Sequence, residues 1–175
     1  MVAVDFDTFV SHEIGHLTTH AHYGAGVGRV TIIPDGSGRY GGSADPGDEG
    51  CVTERVVRWV SGQVAEGKSF ARRDRTEQDI KNADDIIRAE VVKDTTLSKD
   101  EIEERVEQGF AESWKTAAKV LVERRHFYKA AVNKVREELE PQLPLDGKRI
   151  LKTKFGELWE SVTGEVLPSE LKPYG

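Results

Sequence analysis

Apolar side chains recur at helical spacing over most of the chain. Across residues 5–22, Phe6, Phe9, Val10 and Leu17 follow a 3.6-residue period with no proline between them, which predicts a helix. Gly24, Gly26 and Gly28 end it, and the β-branched run Arg29-Val30-Thr31-Ile32-Ile33, stopped by Pro34, predicts a short strand. Residues 35–50 are dense in Gly, Ser, Asp and Pro and predict an exposed loop. Val52, Val56, Val57, Trp59, Val60 and Val64 then predict a second helix up to Gly67, and Ile80, Ala83, Ile86, Ile87 and Val91 a third over residues 79–92. Ser98 followed by Glu101 is a capping-box pattern. Behind it Ile102, Val106, Phe110, Trp114, Ala117 and Leu121 predict a long helix that breaks or bends near His126 and resumes through Val132, Val135 and Leu139 until Pro141. Two shorter helical pieces are expected after Asp146 and Lys154.

Length and charge narrow the class. The 175 residues fit one domain, taken as residues 1–175, large enough to bury a core without disulfides. Twenty-five Lys and Arg against 31 Asp and Glu leave a net charge of −6, the opposite of the basic footprint of a nucleic-acid binder, so no nucleic-acid partner is expected. No apolar run approaches the roughly 18 residues of a membrane span, and the N-terminus lacks the basic start and apolar middle of a signal peptide. The protein is therefore expected to be cytoplasmic, with no membrane insertion. Cys51 is the only cysteine, which excludes an intramolecular disulfide and a thiolate metal cluster; it is expected to be a small buried hydrophobe or an idle thiol.

The chemistry concentrates in the first helix. His12-Glu13-Ile14-Gly15-His16 is an HExxH motif. Four residues are about one helical turn, so both imidazoles leave one face and can bind a single Zn²⁺. Glu13 cannot reach the metal as a ligand at that angle but is placed to act as general base. The bland alternative is a helix with two surface histidines and a solvated glutamate. His12, His16 and His22 also have metzincin spacing, but that class needs glycine at the eighth position, where Thr19 stands, and a Met-turn, and Met1 is the only methionine. His20 and His22 are thus expected to be ordinary helix-end histidines.

Gly62-Gln63-Val64-Ala65-Glu66-Gly67-Lys68-Ser69 satisfies the phosphate-loop pattern GxxxxGK[ST]. Such a loop works only between a buried strand and the N-terminus of a helix. Here the preceding residues predict an amphipathic helix, so the match is taken as coincidence.

Beyond the motif, the chain resembles the peptidase domain of the FtsH family, membrane-bound ATP-dependent zinc proteases. His12-Glu13-Ile14-Gly15-His16-Leu17 is similar to the family's HEAGHA, and Arg29-Val30-Thr31-Ile32-Ile33-Pro34-Asp35-Gly36 to its KVTIIPRG. Ser61-Gly62-Gln63-Val64-Ala65-Glu66 echoes its GGRxAEE, with the first Gly, the Arg and the last Glu replaced. Residues 76–88 resemble its TGASNDIKxATxLAR without the Thr-Gly-Ala lead-in, and Leu145-Asp146-Gly147 stands where the family has LDG.

The resemblance implies a mainly α fold, an array of about six helices with a small two-stranded β-ribbon. It implies His12, His16 and Asp79 as zinc ligands and Glu13 as the catalytic residue. Asp79 shares a helix face with Ala83 and Ile87, so its carboxylate would point to the core unless a cation balances it. On residue chemistry alone Glu77, Asp74 and Asp84 remain alternatives. The expected activity is that of a zinc endopeptidase acting on peptides or unfolded proteins. The strand over residues 30–33 is either a docking edge for an extended substrate or a structural ribbon. FtsH proteases carry transmembrane helices and an ATPase module that cannot fit in 175 residues; the Met1 start and the departures above lead us to expect a free-standing relative. Family members form hexameric rings, which leaves a homo-oligomer open. The rival expectation is a catalytically silent, metal-stabilised binding or regulatory module.

Overall fold

A computed structural model of the protein describes residues 5–24, 30–34, 40–43, 50–151 and 153–167. Among them are six α-helices: α1 (Phe6–His22), α2 (Val52–Ala65), α3 (Gln78–Val91), α4 (Lys99–Glu123), α5 (Arg125–Leu139) and α6 (Phe155–Thr163). Three short strands accompany them, β1 (Thr31–Pro34), β2 (Tyr40–Ser43) and β3 (Arg149–Ile150). The protein is mainly helical, as the periodicity predicts. No helix among the described residues is long and apolar enough to cross a membrane.

Local chemistry sets where the helices begin. The Asp5 carboxylate accepts the Thr8 N–H at 3.0 Å and the Thr8 hydroxyl at 2.7 Å, capping α1. Ser98 and Glu101 form the expected box on α4: the Glu101 carboxylate accepts the Ser98 N–H at 2.8 Å, and the Ser98 hydroxyl accepts the Glu101 N–H at 3.3 Å. At α2 the Glu54 carboxylate accepts the Cys51 N–H at 3.0 Å. Cys51 is exposed at this cap, which removes the buried reading of its thiol.

Two elements depart from the periodicity. Residues 40–43 pair antiparallel with β1, with Ile32 opposite Gly42, inside the stretch read as loop. Most of that stretch, like Gly26 and Gly28, lies outside the described residues. After Asp146 the chain forms β3, not a helix, and pairs with Thr31 and Ile32 from the other side. The order β2-β1-β3 leaves β1 in the middle, so Thr31 and Ile32 have no free edge to offer an extended substrate. The break between α4 and α5 falls at Arg124, where tertiary contacts hold it: its Nε donates to His22 Nδ1 at 3.1 Å, its Nη1 pairs with Glu165 at 2.8 Å, and its guanidinium lies 5.0 Å from the Trp159 ring.

Two apolar clusters are buried among the described residues, and α1 belongs to the first. Phe9, Val10, Ile14, Leu17 and Ala21 pack with Val30 and Ile32 of β1 and with the inner faces of α5 and α6. The second cluster joins Val56, Val57 and Val60 of α2 to Ile80, Ala83 and Ile87 of α3 and to Val106, Phe110 and Trp114 of α4. The remaining stripe of α1, His12, Gly15, His16 and Thr19, repeats at i, i+3, i+4 and i+7 and meets α2. A β-carbon on Gly15 would stand 2.5 Å from Ala65 Cβ and 2.7 Å from the Ser61 carbonyl oxygen, so the helices touch backbone to backbone there. Gly15→Ala must push them apart. We expect it to cost about 1–3 kcal/mol, as overpacking does, measured as a lower urea midpoint at unchanged slope.

Candidate metal centre

Helix α1 presents His12 and His16 one turn apart, and α3 brings Asp79 to them. His12 Nε2 and His16 Nε2 stand 3.0 Å apart, and Asp79 Oδ2 lies 3.0 Å from the first and 3.1 Å from the second. The two rings meet edge to face with centroids 4.7 Å apart. His12 is 7% and His16 2% exposed, so this is an interior site. The residues HExxH spacing singles out and the aspartate implied by the family resemblance therefore converge on one point.

The partners of the other ring nitrogens settle which atoms face inward. His16 Nδ1–H donates to the Arg58 carbonyl at 2.7 Å, and a carbonyl can only accept. His12 Nδ1–H donates to Glu66 Oε1 at 2.5 Å. Burial alone would raise the Glu66 carboxyl, but His12 and Lys68 hold it below the ordinary value, so it too acts as acceptor. Both Nε2 atoms then turn a lone pair toward the centre unless a ring takes a second proton. Carboxylate or carbonyl behind each histidine is the arrangement that orients metal ligands.

Three electron-rich atoms about 3 Å apart repel one another unless a cation sits among them. Burial would push the His12 imidazolium down, yet Asp79 and Glu66 push it up to about 10. Burial would likewise raise Asp79, but its hydrogen bonds to His12 and His16 hold it well below the usual carboxylate range. The cluster thus draws positive charge, which a second proton on His12 or a bound cation could supply. Zn²⁺ fits: bonds of about 2.0–2.1 Å in a tetrahedron space the donors by about 3.3 Å, within a few tenths of the distances here. Two imidazoles and a carboxylate also suit other borderline divalent ions. A tetrahedral ion held by these three donors would keep one corner free for water.

Room for the rings comes from α2. A β-carbon on Gly62 would lie 2.5 Å from His16 Nε2 and 2.6 Å from His12 Nε2, where no real side chain could sit. Gly62 and Glu66 were visible in the sequence only as an echo of the family's GGRxAEE; nothing local marks their role. Glu13 is buried at 5% exposure, one residue past His12 and three before His16 on the same helix.

The alternative ligands are engaged elsewhere. Asp74 Oδ1 accepts the Thr76 N–H and hydroxyl at 2.9 and 2.7 Å, and Asp84 pairs with Arg88 at 3.1 Å. Glu77 lies 3.9 Å from His12 Nδ1, the nitrogen that carries a proton. Glu66, Glu77 and His12 Nδ1 form a second cluster within 4.8 Å, but Lys68 Nζ stands 2.7 Å from Glu66 and 4.0 Å from Glu77 and supplies its positive charge. His22 accepts from Arg124 and stands apart from the centre; burial and that guanidinium lower its pKa. The phosphate-loop pattern starts within the last turn of α2 and runs past its C-terminus, the negative end of the helix dipole.

Comparison with models of known protein families gives no match, and no curated protein matches the sequence.

If the centre binds zinc, the metal must stabilise the fold by RT ln(1 + [Zn]/Kd), about 4 kcal/mol at a thousandfold excess over Kd. We expect zinc to raise the Tm of the wild type and a chelator to reverse the rise. Gly62→Ala, which puts a methyl group against both rings, should show no zinc-dependent shift.

Proposed function

We propose that the protein is a zinc-dependent endopeptidase with an FtsH-like peptidase fold, hydrolysing peptide bonds in peptides or unfolded proteins without ATP. The observation that carries this reading is the convergence of His12 Nε2, His16 Nε2 and Asp79 Oδ2, each histidine fixed from behind, beside a buried Glu13.

His12, His16 and Asp79 are the residues that would hold the ion. Bound zinc supplies a Lewis acid that activates water and polarises a carbonyl. Glu13 is the proton carrier: its carboxylate accepts a proton as water adds to the carbonyl carbon, then delivers it to the amide nitrogen as the C–N bond breaks. Glu66 and the Arg58 carbonyl keep both Nε2 atoms aimed inward throughout. The expected substrates are peptides and disordered or loosened chains.

A binding module that keeps the metal and does not turn over would use the same three donors but has no need for Glu13. The two readings part on activity. Zinc-loaded wild type should cleave an unfolded protein without ATP. Glu13→Gln should bind zinc as tightly and cleave about 10²- to 10⁴-fold more slowly, the usual loss when a positioned proton carrier is removed. Zinc bound to both proteins with cleavage by neither would favour the binding module.

A further inference from the structure

The C-terminal end of α2 and its cap residue Glu66 lie against the two histidines of the centre. Gly62 leaves space for the imidazoles and Glu66 takes the His12 proton. Between them stands Gln63, a residue fully buried at 0% exposure. Its amide is engaged at both ends by the chain leading into α3. Nε2–H donates to the Asp74 carbonyl at 3.0 Å, Oε1 accepts the Asp74 N–H at 2.8 Å, and Nε2 also donates to Glu77 Oε2. One side chain thus holds both backbone polar groups of Asp74, much as a neighbouring strand would, and also the carboxylate three residues on.

Glu77 is the N-cap of α3 and makes no side-chain capping bond, and Asp79 is the second residue of the helix. The start of α3, and with it the direction of the Asp79 carboxylate, takes its position from whatever holds residues 74–77. A second strong anchor in this connection, the Arg73 pair with Glu107 at 2.6 Å, ties it to α4 and not to the helix that faces the histidines. His12 and His16 need no such help, since one helix turn and their Nδ1 partners place them.

We propose that Gln63 is the positioning residue for the third metal donor, holding the 74–77 segment on α2 so that Asp79 Oδ2 stays in register with the two Nε2 atoms. The inference rests on the metal-centre reading. It also gives a physical content to a departure from the family pattern, since Gln63 occupies the position of the Arg in GGRxAEE: a neutral amide can grip a peptide N–H and C=O together, whereas a guanidinium has donors only.

The test is a thermodynamic cycle read by zinc affinity and by the visible spectrum of bound Co²⁺. The proteins are wild type, Gln63→Met, Asp79→Ala and the double variant. Gln63→Met should lower zinc affinity about 10- to 100-fold, the usual cost of losing an outer-shell partner. Its cobalt spectrum should shift toward that of Asp79→Ala. In the Asp79→Ala background the same substitution should change affinity less than about twofold, because the donor it positions is gone. Gln63→Glu keeps the size and the acceptor but loses the donor; it should show the same loss, and replaces Gln63→Met should that variant not fold. Wild-type affinity in the Gln63 variants, or an equal loss with and without Asp79, overturns the proposal alone. A wild type that binds neither metal overturns the metal-centre reading and this inference with it.

Discussion

The close contact of α1 with α2 at Gly15 and Gly62 is the constraint on which the site depends. A side chain at either position would occupy space already filled by backbone or by an imidazole. Because these two surfaces are bare, two histidines that would otherwise project into a helix interface find a hollow there. The rest of α2 can then reach them: Glu66 behind His12, the Arg58 carbonyl behind His16, and Gln63 on the segment that delivers Asp79. One apolar cluster holds α1 against β1, α5 and α6, and the other holds α2 against α3 and α4. Packing and chemistry are thus carried by different faces of one helix.

The charges around that hollow could hold a cation. Glu13, His12 and His16 are each less than a tenth exposed, and Asp79 sits against the two rings. Burying such groups without compensating charge costs several kcal/mol. The outer groups do not relieve this, because Glu66 adds negative charge and Lys68 balances that charge locally. What remains is an inward-facing triangle of donors whose need for positive charge a second proton on His12 or a divalent ion could meet.

What the sequence made legible was whatever is local. The 17-residue run of α1 and the Ser98 box are decided within a few residues, and both were readable. The histidine pair follows from one turn of helix. The strand at residues 40–43 was not readable, because Tyr-Gly-Gly-Ser has no apolar alternation and owes its extended form to pairing with β1. The helix expected after Asp146 failed for the same reason, since β3 is completed by β1. The α4–α5 break lies at Arg124, close to the expected position near His126, and its anchors, His22 and Trp159, are far away in sequence. Choosing Asp79 over Glu77, Asp74 and Asp84 needed either the family resemblance or the fold, because the path of residues 66–77 decides which carboxylate arrives. Gly62 and Gln63 carry no local signal, and their roles exist only once α1 and α2 meet.

The measurement that tests the central claim most directly is anomalous diffraction at the zinc edge from crystals of the zinc-loaded protein. The account predicts one strong peak bounded by His12 Nε2, His16 Nε2 and the Asp79 carboxylate, at about 2.0–2.2 Å from each. A peak on other residues, or none with zinc in molar excess, would contradict it.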